Sequence, residues 1–251
     1  MEIQMKTVLI TGCSSGYGLA TANYFLTKGW KVIATMRTPR EDIFPQSENL
    51  HVIALDVTSP ESIAAVLEQC GPIDVLVNNA GIGLFGTLEA TPMKTVREVF
   101  ETNTFGMIAM TQAMIPMFRK QGAGVVINLT SSAVFVPMPL VAVYTASKTA
   151  IEGFTASLAF ELKPFNIDVK IVQPGYGPTT SFASNSGKRM QGLIPEAYAD
   201  FAQEVFTSFT QVKQFTKESD VAETVWLAAT DQTGQFSFPA GEDAIAMSRL
   251  K

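Results

Sequence analysis

Short apolar runs recur along the chain, each followed by a longer stretch in which apolar and polar residues mix. The runs are Lys6–Thr11, Trp30–Met36, Leu50–Leu55, Ile73–Val77, Gly124–Leu129, Ile167–Val172 and Phe236–Pro239. Most are β-branched and apolar throughout, the mark of strands buried on both faces. Behind the first comes a helical pattern of Leu19, Ala22, Tyr24, Phe25 and Leu26. Ser59-Pro60-Glu61 opens another helix, with a capping hydroxyl and a proline at the first helical position. Further helical stretches are expected at 91–120, 143–163, 195–215 and from Asp220 to Thr230. Strands alternating with helices predict an α/β fold: one doubly wound parallel sheet with helices on both faces. There is no repeat, low-complexity tract or linker, so residues 1–251 are expected to form one domain.

The punctuation adds chemistry. Gly12, Gly16 and Gly18 fill the first strand-to-helix turn. Such a turn lets backbone approach a ligand, and the helix N-terminus offers free N–H groups to a phosphate. The spacing is GxxxGxG rather than GxGxxG. In a Rossmann-type sheet the end of the second strand meets the adenosine ribose. An acid there would hold the 2′-hydroxyl of NAD; this chain has Met36, Arg37 and, three further on, Arg40. A guanidinium suits a 2′-phosphate, so NADP(H) is expected to be preferred and NAD(H) possible. Asp56, closing the third strand, either caps locally or touches the adenine. Asn78-Asn79-Ala80-Gly81 ends the fourth strand as a plain turn or as part of a ligand crevice. Asn103, with Gly106 nearby, is locally unfavourable inside the 91–120 helix, and such inconsistencies often mark functional places.

Tyr144 and Lys148 stand four residues apart in a predicted helix, on one face. A nearby ammonium favours the phenolate, so the pair is expected to lower the phenol's pKa and ease proton transfer. On its own this spacing is common. Ser181 to Gly192 is polar and small and reads as a mobile loop. The 195–215 stretch carries Tyr198, Phe201, Phe206, Phe209 and Phe215, all expected to face a core or a pocket. Together these suggest a lid at about 181–215 over a hydrophobic substrate.

Composition narrows the classes. The net charge is −5 with no basic cluster, which argues against nucleic acid. No apolar run approaches the ~18 residues of a membrane span, and the N-terminus lacks a signal-peptide layout. Cys13 and Cys70 are too few for a disulfide framework, so a cytoplasmic setting is expected. His51 is the sole histidine, which excludes a multi-histidine metal site and strands any Ser-His-Asp hydrolase at the head of a buried strand.

The set TGCSSGYG at 11–18, Asp56, NNAG at 78–81, Asn103, Ser131, Tyr144-x-x-x-Lys148 and Pro174-Gly175 with Thr179 resembles the short-chain dehydrogenase/reductase family. Ser131 lies 13 positions before Tyr144, as that pattern expects. The tail resembles carbonyl-reductase and hydroxysteroid-dehydrogenase-like members less specifically. The resemblance implies ketone–alcohol interconversion with Tyr144 as general acid or base, Lys148 lowering its pKa, Ser131 polarising the substrate oxygen and Asn103 holding a relay water. It implies a cofactor site of Gly12, Ser14, Gly16, Tyr17, Gly18, Arg37, Asp56, Val57, Asn79, Ala80, Gly81, Pro174 and Gly175, shared with Tyr144 and Lys148. Thr179 would meet the carboxamide, with Thr180 and Ser132 as the adjacent registers. Gly177 departs from the family, which usually has an aliphatic residue there. The resemblance also implies a homodimer or homotetramer through the 91–120 and 143–163 helices. A dinucleotide sensor without turnover is the competing class; the complete Asn/Ser/Tyr/Lys set argues against it.

Overall fold

The computed structural model describes residues 5–250 except 181–186, 188 and 213. Its strands are β1 Thr7–Thr11, β2 Lys31–Met36, β3 Leu50–Ala54, β4 Val75–Asn78, β5 Gly124–Leu129, β6 Ile167–Pro174 and β7 Ser237–Ala240. They form one sheet in the order β3-β2-β1-β4-β5-β6-β7, every pair parallel. The helices are α1 Gly16–Thr27, α2 Pro60–Gln69, α3 Met93–Phe100, α4 Gly106–Gln121, α5 Ala142–Leu162, α6 Ala199–Thr210, α7 Glu218–Thr230 and α8 Glu242–Ser248. Strand order reverses between β1 and β4, the switch point at which open α/β sheets take ligands. This is the Rossmann-like sheet that the pattern predicts. The strand ends differ by a residue or two: Trp30, Ile73 and Phe236 fall outside their strands.

Both faces of the inner strands are covered, which is why their runs are apolar without alternation. Edge strand β3 is the exception: none of its residues is buried, and His51 is exposed rather than at the head of a buried strand. Val8 and Ile10 pack to one side with Phe25 of α1 and Val225 of α7. Leu9 packs to the other with Met110 and Phe118 of α4 and Leu158 of α5. On the first face Phe25 sits edge-on to Trp30 and Trp226, with centroids 5.2 and 5.1 Å away. Edge contacts of this kind add about 0.5–1.5 kcal/mol each beyond burial. On the second, a buried polar chain ties strands to helices. The Asn78 amide donates to Thr111 and Asn128, and Asn128 donates to Thr155, each at 2.9 Å. Asn78 is thus part of the frame beneath the crevice.

The 91–120 helix is broken by a π turn at Glu101–Phe105, between α3 and α4. Asn103 sits inside it, where the sequence is locally inconsistent. The predicted 195–215 helix is a short turn, Glu196–Tyr198, followed by α6. Most of the expected 181–192 loop lies outside the described residues.

Candidate active site

At the carboxyl ends of the strands lies a cavity of about 880 Å³, which runs from the glycine turn to α6. Its floor at one end is the turn between β1 and α1. Gly12 has φ of +75°, and a Cβ there would lie 2.8 Å from the Ala80 backbone, so only glycine fits. Ser14, Gly16 and Tyr17 line the cavity; Gly18 lies buried behind them against Gly12 and Asn79. Ser15 caps α1 without a side-chain hydrogen bond, and the first turn holds no acid. The N–H groups of that turn therefore face the cavity uncompensated, which suits a phosphate.

Asn79 does not present its amide nitrogen to a ligand. Its Nδ2 donates to the backbone oxygens of Thr11 and Gly12 at 2.8 and 3.1 Å, stapling β4 to the turn. Asp56 lines the cavity, and its Oδ1 also bonds locally, accepting from the Thr58 backbone N–H and hydroxyl at 2.9 and 2.7 Å. Those bonds, helped by Arg37, hold its carboxyl below the usual range. Arg37 is exposed at the cavity rim, and Val57, Ala80 and Gly81 line the same cavity.

At the middle of the cavity stand Ser131, Tyr144 and Lys148. Ser131 and Tyr144 share a side-chain hydrogen bond. Ser131 Oγ also accepts from the Ala133 N–H at 3.2 Å, which fixes the hydroxyl at the tip of β5. Lys148 is 4% exposed, and its Nζ donates to the Leu129 carbonyl at 2.9 Å. Burial pushes the Tyr144 phenol up to about 12, although Ser131 opposes it. Burial pushes the Lys148 ammonium down to about 8. The expected lowering of the phenol by Lys148 is not found: desolvation of the phenolate raises it, opposed by the Ser131 hydrogen bond. At neutral pH the phenol keeps its proton and is a donor.

Asn103 is fully buried and does not line the cavity. Its Oδ1 accepts from Ile82 N at 2.7 Å, and its Nδ2 donates to Ile82 O at 2.9 Å and Ser147 Oγ at 3.1 Å. Ser147 in turn donates to the Tyr144 carbonyl at 2.7 Å. The π turn thereby holds the α5 backbone that carries Tyr144. Just upstream, Leu140 has φ of +63°, a costly conformation for a branched side chain. Its carbonyl accepts from Gly86 N at 2.8 Å and its side chain packs against Ala202 and Val205 of α6.

Pro174 and Gly175 line the far wall, as does Thr180. Thr179 does not: its hydroxyl donates to Glu218 at 3.0 Å on the exposed side, so Thr180 is the threonine facing the cavity. Of the aromatics at 195–215, Phe206 and Phe209 line the cavity, and Phe209 stacks near Phe85 and Tyr176 at 5.9 and 5.5 Å. Phe201 and Phe215 are exposed, and the Tyr198 hydroxyl donates to Glu89 at the surface. Three of the five therefore do not face a pocket.

Sequence reasoning missed Asp243 and Thr216. Asp243 is buried, and its carboxylate accepts from the Tyr176 N–H and the Thr216 hydroxyl, each at 2.6 Å. It fills the space that a side chain at Gly175 would take. Nothing in its spacing signals this, because its partner at Tyr176 is 67 residues away. Asp243→Ala is expected to cost about 1–3 kcal/mol by orphaning those donors. Chemical denaturation at neutral pH checks it.

No His/Cys/Asp/Glu group able to hold a metal occurs among the described residues, and none of their helices is long and apolar enough to cross a membrane. Known proteins agree with the geometry. The family described as short chain dehydrogenase matches residues 6–190. A 3-ketodihydrosphingosine reductase of Bacteroides thetaiotaomicron is 39% identical over 202 residues, 79% of this chain and 73% of that protein. Retinol dehydrogenase 8 of Bos taurus is 40% identical over 184 residues, 68% of this chain and 58% of that protein. A short-chain dehydrogenase from Streptomyces avermitilis superimposes with a TM-score of 0.81 at 31% identity, covering 98% of this chain and 91% of that one. A 3-ketoacyl-(acyl-carrier-protein) reductase from Brucella melitensis complexed with NADH superimposes with a TM-score of 0.77 at 25% identity, over 94% and 96% of the two chains. A serine dehydrogenase complexed with NADP+ does so at 0.79 and 25%, over 94% of each. The chain belongs to the short-chain dehydrogenase family of oxidoreductases.

Proposed function

We propose that this chain is an NADP(H)-preferring reductase that interconverts a hydrophobic ketone and its secondary alcohol. The observation that carries the reading is one cavity lined by the glycine turn, the Ser131–Tyr144–Lys148 cluster and a set of apolar side chains. The residues fit a nicotinamide dinucleotide: an uncapped helix N-terminus for the pyrophosphate, a rim guanidinium at Arg37, and Pro174–Gly175 along the wall. When bound, the dinucleotide supplies or accepts the hydride. The protein's share is orientation and proton management. Ser131 and Tyr144 stand within one hydrogen bond of each other, so both hydroxyls can donate to one carbonyl oxygen as it gains charge. Tyr144 gives its proton to that oxygen, and Lys148 stabilises the phenolate left behind. Asn103 holds the backbone beneath the pair through Ser147.

Apolar substrate chemistry is supported by Ile82, Phe85, Met138, Val141, Phe206 and Phe209 along the cavity's far half. The two relatives named for 3-ketodihydrosphingosine and retinol, a ketone and an alcohol, point the same way. We place the enzyme in the cytoplasm on its two free cysteines, and we assign a homodimer or homotetramer, supported by exposed Phe105 before α4 and Phe160 on α5.

A panel of apolar ketones run with NADPH and NADH tests the reading. Turnover is expected with NADPH above NADH. Arg37→Asp removes the rim charge and should move the ratio toward NADH by about tenfold or more. An unchanged ratio takes Arg37 out of the argument.

A further inference from the structure

The family resemblance leads one to expect an aliphatic side chain at position 177, and this chain has glycine. The structure shows what takes the space. A Cβ on Gly177 would land on the Tyr17 hydroxyl and lie 2.9 Å from Tyr17 Cζ. Tyr17 stands in the first turn of α1, directly after Gly16, and its ring crosses from the glycine turn to the 174–180 wall. Its hydroxyl points to the Gly175 carbonyl at 3.5 Å, the long limit of a hydrogen bond. Gly16 meets the same wall: a Cβ there would touch Thr180 at 3.4 Å. The turn that grips the pyrophosphate and the segment beside the reacting end of the cavity are therefore in contact through Tyr17.

Two further observations set Tyr17 apart from ordinary packing. Its ring packs against the core at one side and lines the same cavity as Tyr144 at the other. Burial raises its phenol well above the ordinary range, and Tyr144 adds to the effect, which places the two phenols near one another. The glycine turn, Tyr17 and Tyr144 all border that one cavity.

We propose that Tyr17 and Gly177 act as one steric unit, in which the tyrosine ring replaces the missing side chain at 177 and forms the wall that positions the nicotinamide end of the cofactor. Tyr17 is on this view a positioning residue, and Gly177 is what admits it. The inference rests on the dinucleotide reading above and extends it to two residues that make no covalent or proton-transfer step. It also accounts for a departure that would otherwise loosen the wall.

The test is a double-variant cycle with Gly177→Ala, Tyr17→Leu and the pair together. Dissociation constants for NADPH and NADH are read by calorimetry, with apo melting temperatures alongside. Gly177→Ala should weaken binding of the preferred dinucleotide at least about tenfold, because the new methyl displaces the ring. The double variant should recover most of that loss, since the shorter leucine side chain leaves room for the methyl. If Gly177→Ala alone fails to fold, recovery of a cooperative melt in the double variant supports the unit, and its absence overturns it. Wild-type affinity in Gly177→Ala, or losses that simply add in the double variant, overturns the pair alone. A wild type that binds neither dinucleotide overturns the functional reading and the pair with it.

Discussion

Tyr144→Phe is expected to bind NADPH as the wild type does and to reduce ketones about 10²–10⁴-fold more slowly. The change removes one oxygen. The ring remains, half-buried in the cavity wall. The dinucleotide contacts proposed for the glycine turn, Arg37 and the Pro174–Gly175 wall do not involve that oxygen. What disappears is the proton donor. Burial holds the phenol at about 12, so at neutral pH the group is loaded with the proton that reduction needs. Ser131 can still polarise a carbonyl after the change, and it keeps its hydrogen bond from Ala133. A serine hydroxyl is a far weaker acid than a phenol, so it does not replace Tyr144 as the proton donor. The residual rate is thus what orientation and one donor supply. Single-turnover oxidation of the reduced dinucleotide, read beside its dissociation constant, separates chemistry from binding. A variant with near-normal turnover would remove Tyr144 from the mechanism.

Much of the frame behind this site is readable from the chain. A strand buried on both faces has to be largely apolar, so the inner runs announced β1, β2, β4, β5 and β6, while the edge strands β3 and β7 are less buried and less uniformly apolar. Gly12 and Gly16 announced the turn because no other residue tolerates their positive φ cheaply. Asn103 and Gly106 were out of place in a helix, and a π turn lies there. Other features depend on what meets in space. Residue spacing puts Tyr144 and Lys148 on one face, yet the direction of the phenol's pKa follows from burial by the surrounding wall. Asp243 reaches Tyr176 only once β7 lies beside β6. Thr179 and Thr180 differ by one residue in a segment without a repeating pattern, so chain geometry alone decides between them. The lid aromatics are a mixed case. Ala202, Val205, Phe206 and Phe209 form a helical stripe that faces inward, and Phe201 falls off it. Hydrophobicity alone drew Phe201 into the prediction; periodicity would have left it outside.

Lys148→Met should abolish most activity while revealing, in the same protein, what burying the ammonium costs. Turnover is expected to fall about 10²–10³-fold, the usual loss when a preorganised charge-stabilising group goes. The stability effect depends on pH, and its sign is set by linkage. Burial takes the Lys148 ammonium from its ordinary 10.5 down to about 8. Below about pH 8 the folded and unfolded chains both carry the proton, so the full penalty of a buried charge is present. Between there and 10.5 the unfolded chain holds the proton and the folded chain sheds it. Wild-type stability must then rise with pH relative to the methionine variant, by at most about 1.4 kcal/mol per pH unit for one proton. The variant lacks the titrating group, so subtracting its curve cancels the tyrosines and cysteines that ionise in the same range. The absolute offset also contains the Leu129 carbonyl, which loses its donor at 2.9 Å, and for that reason the slope is the measurement. Denaturant melts of both proteins from pH 7 to pH 10 supply it. A difference that stays flat or falls across that window would mean that Lys148 is not held as a desolvated cation. The proposed stabilisation of the Tyr144 phenolate would then lose its physical basis.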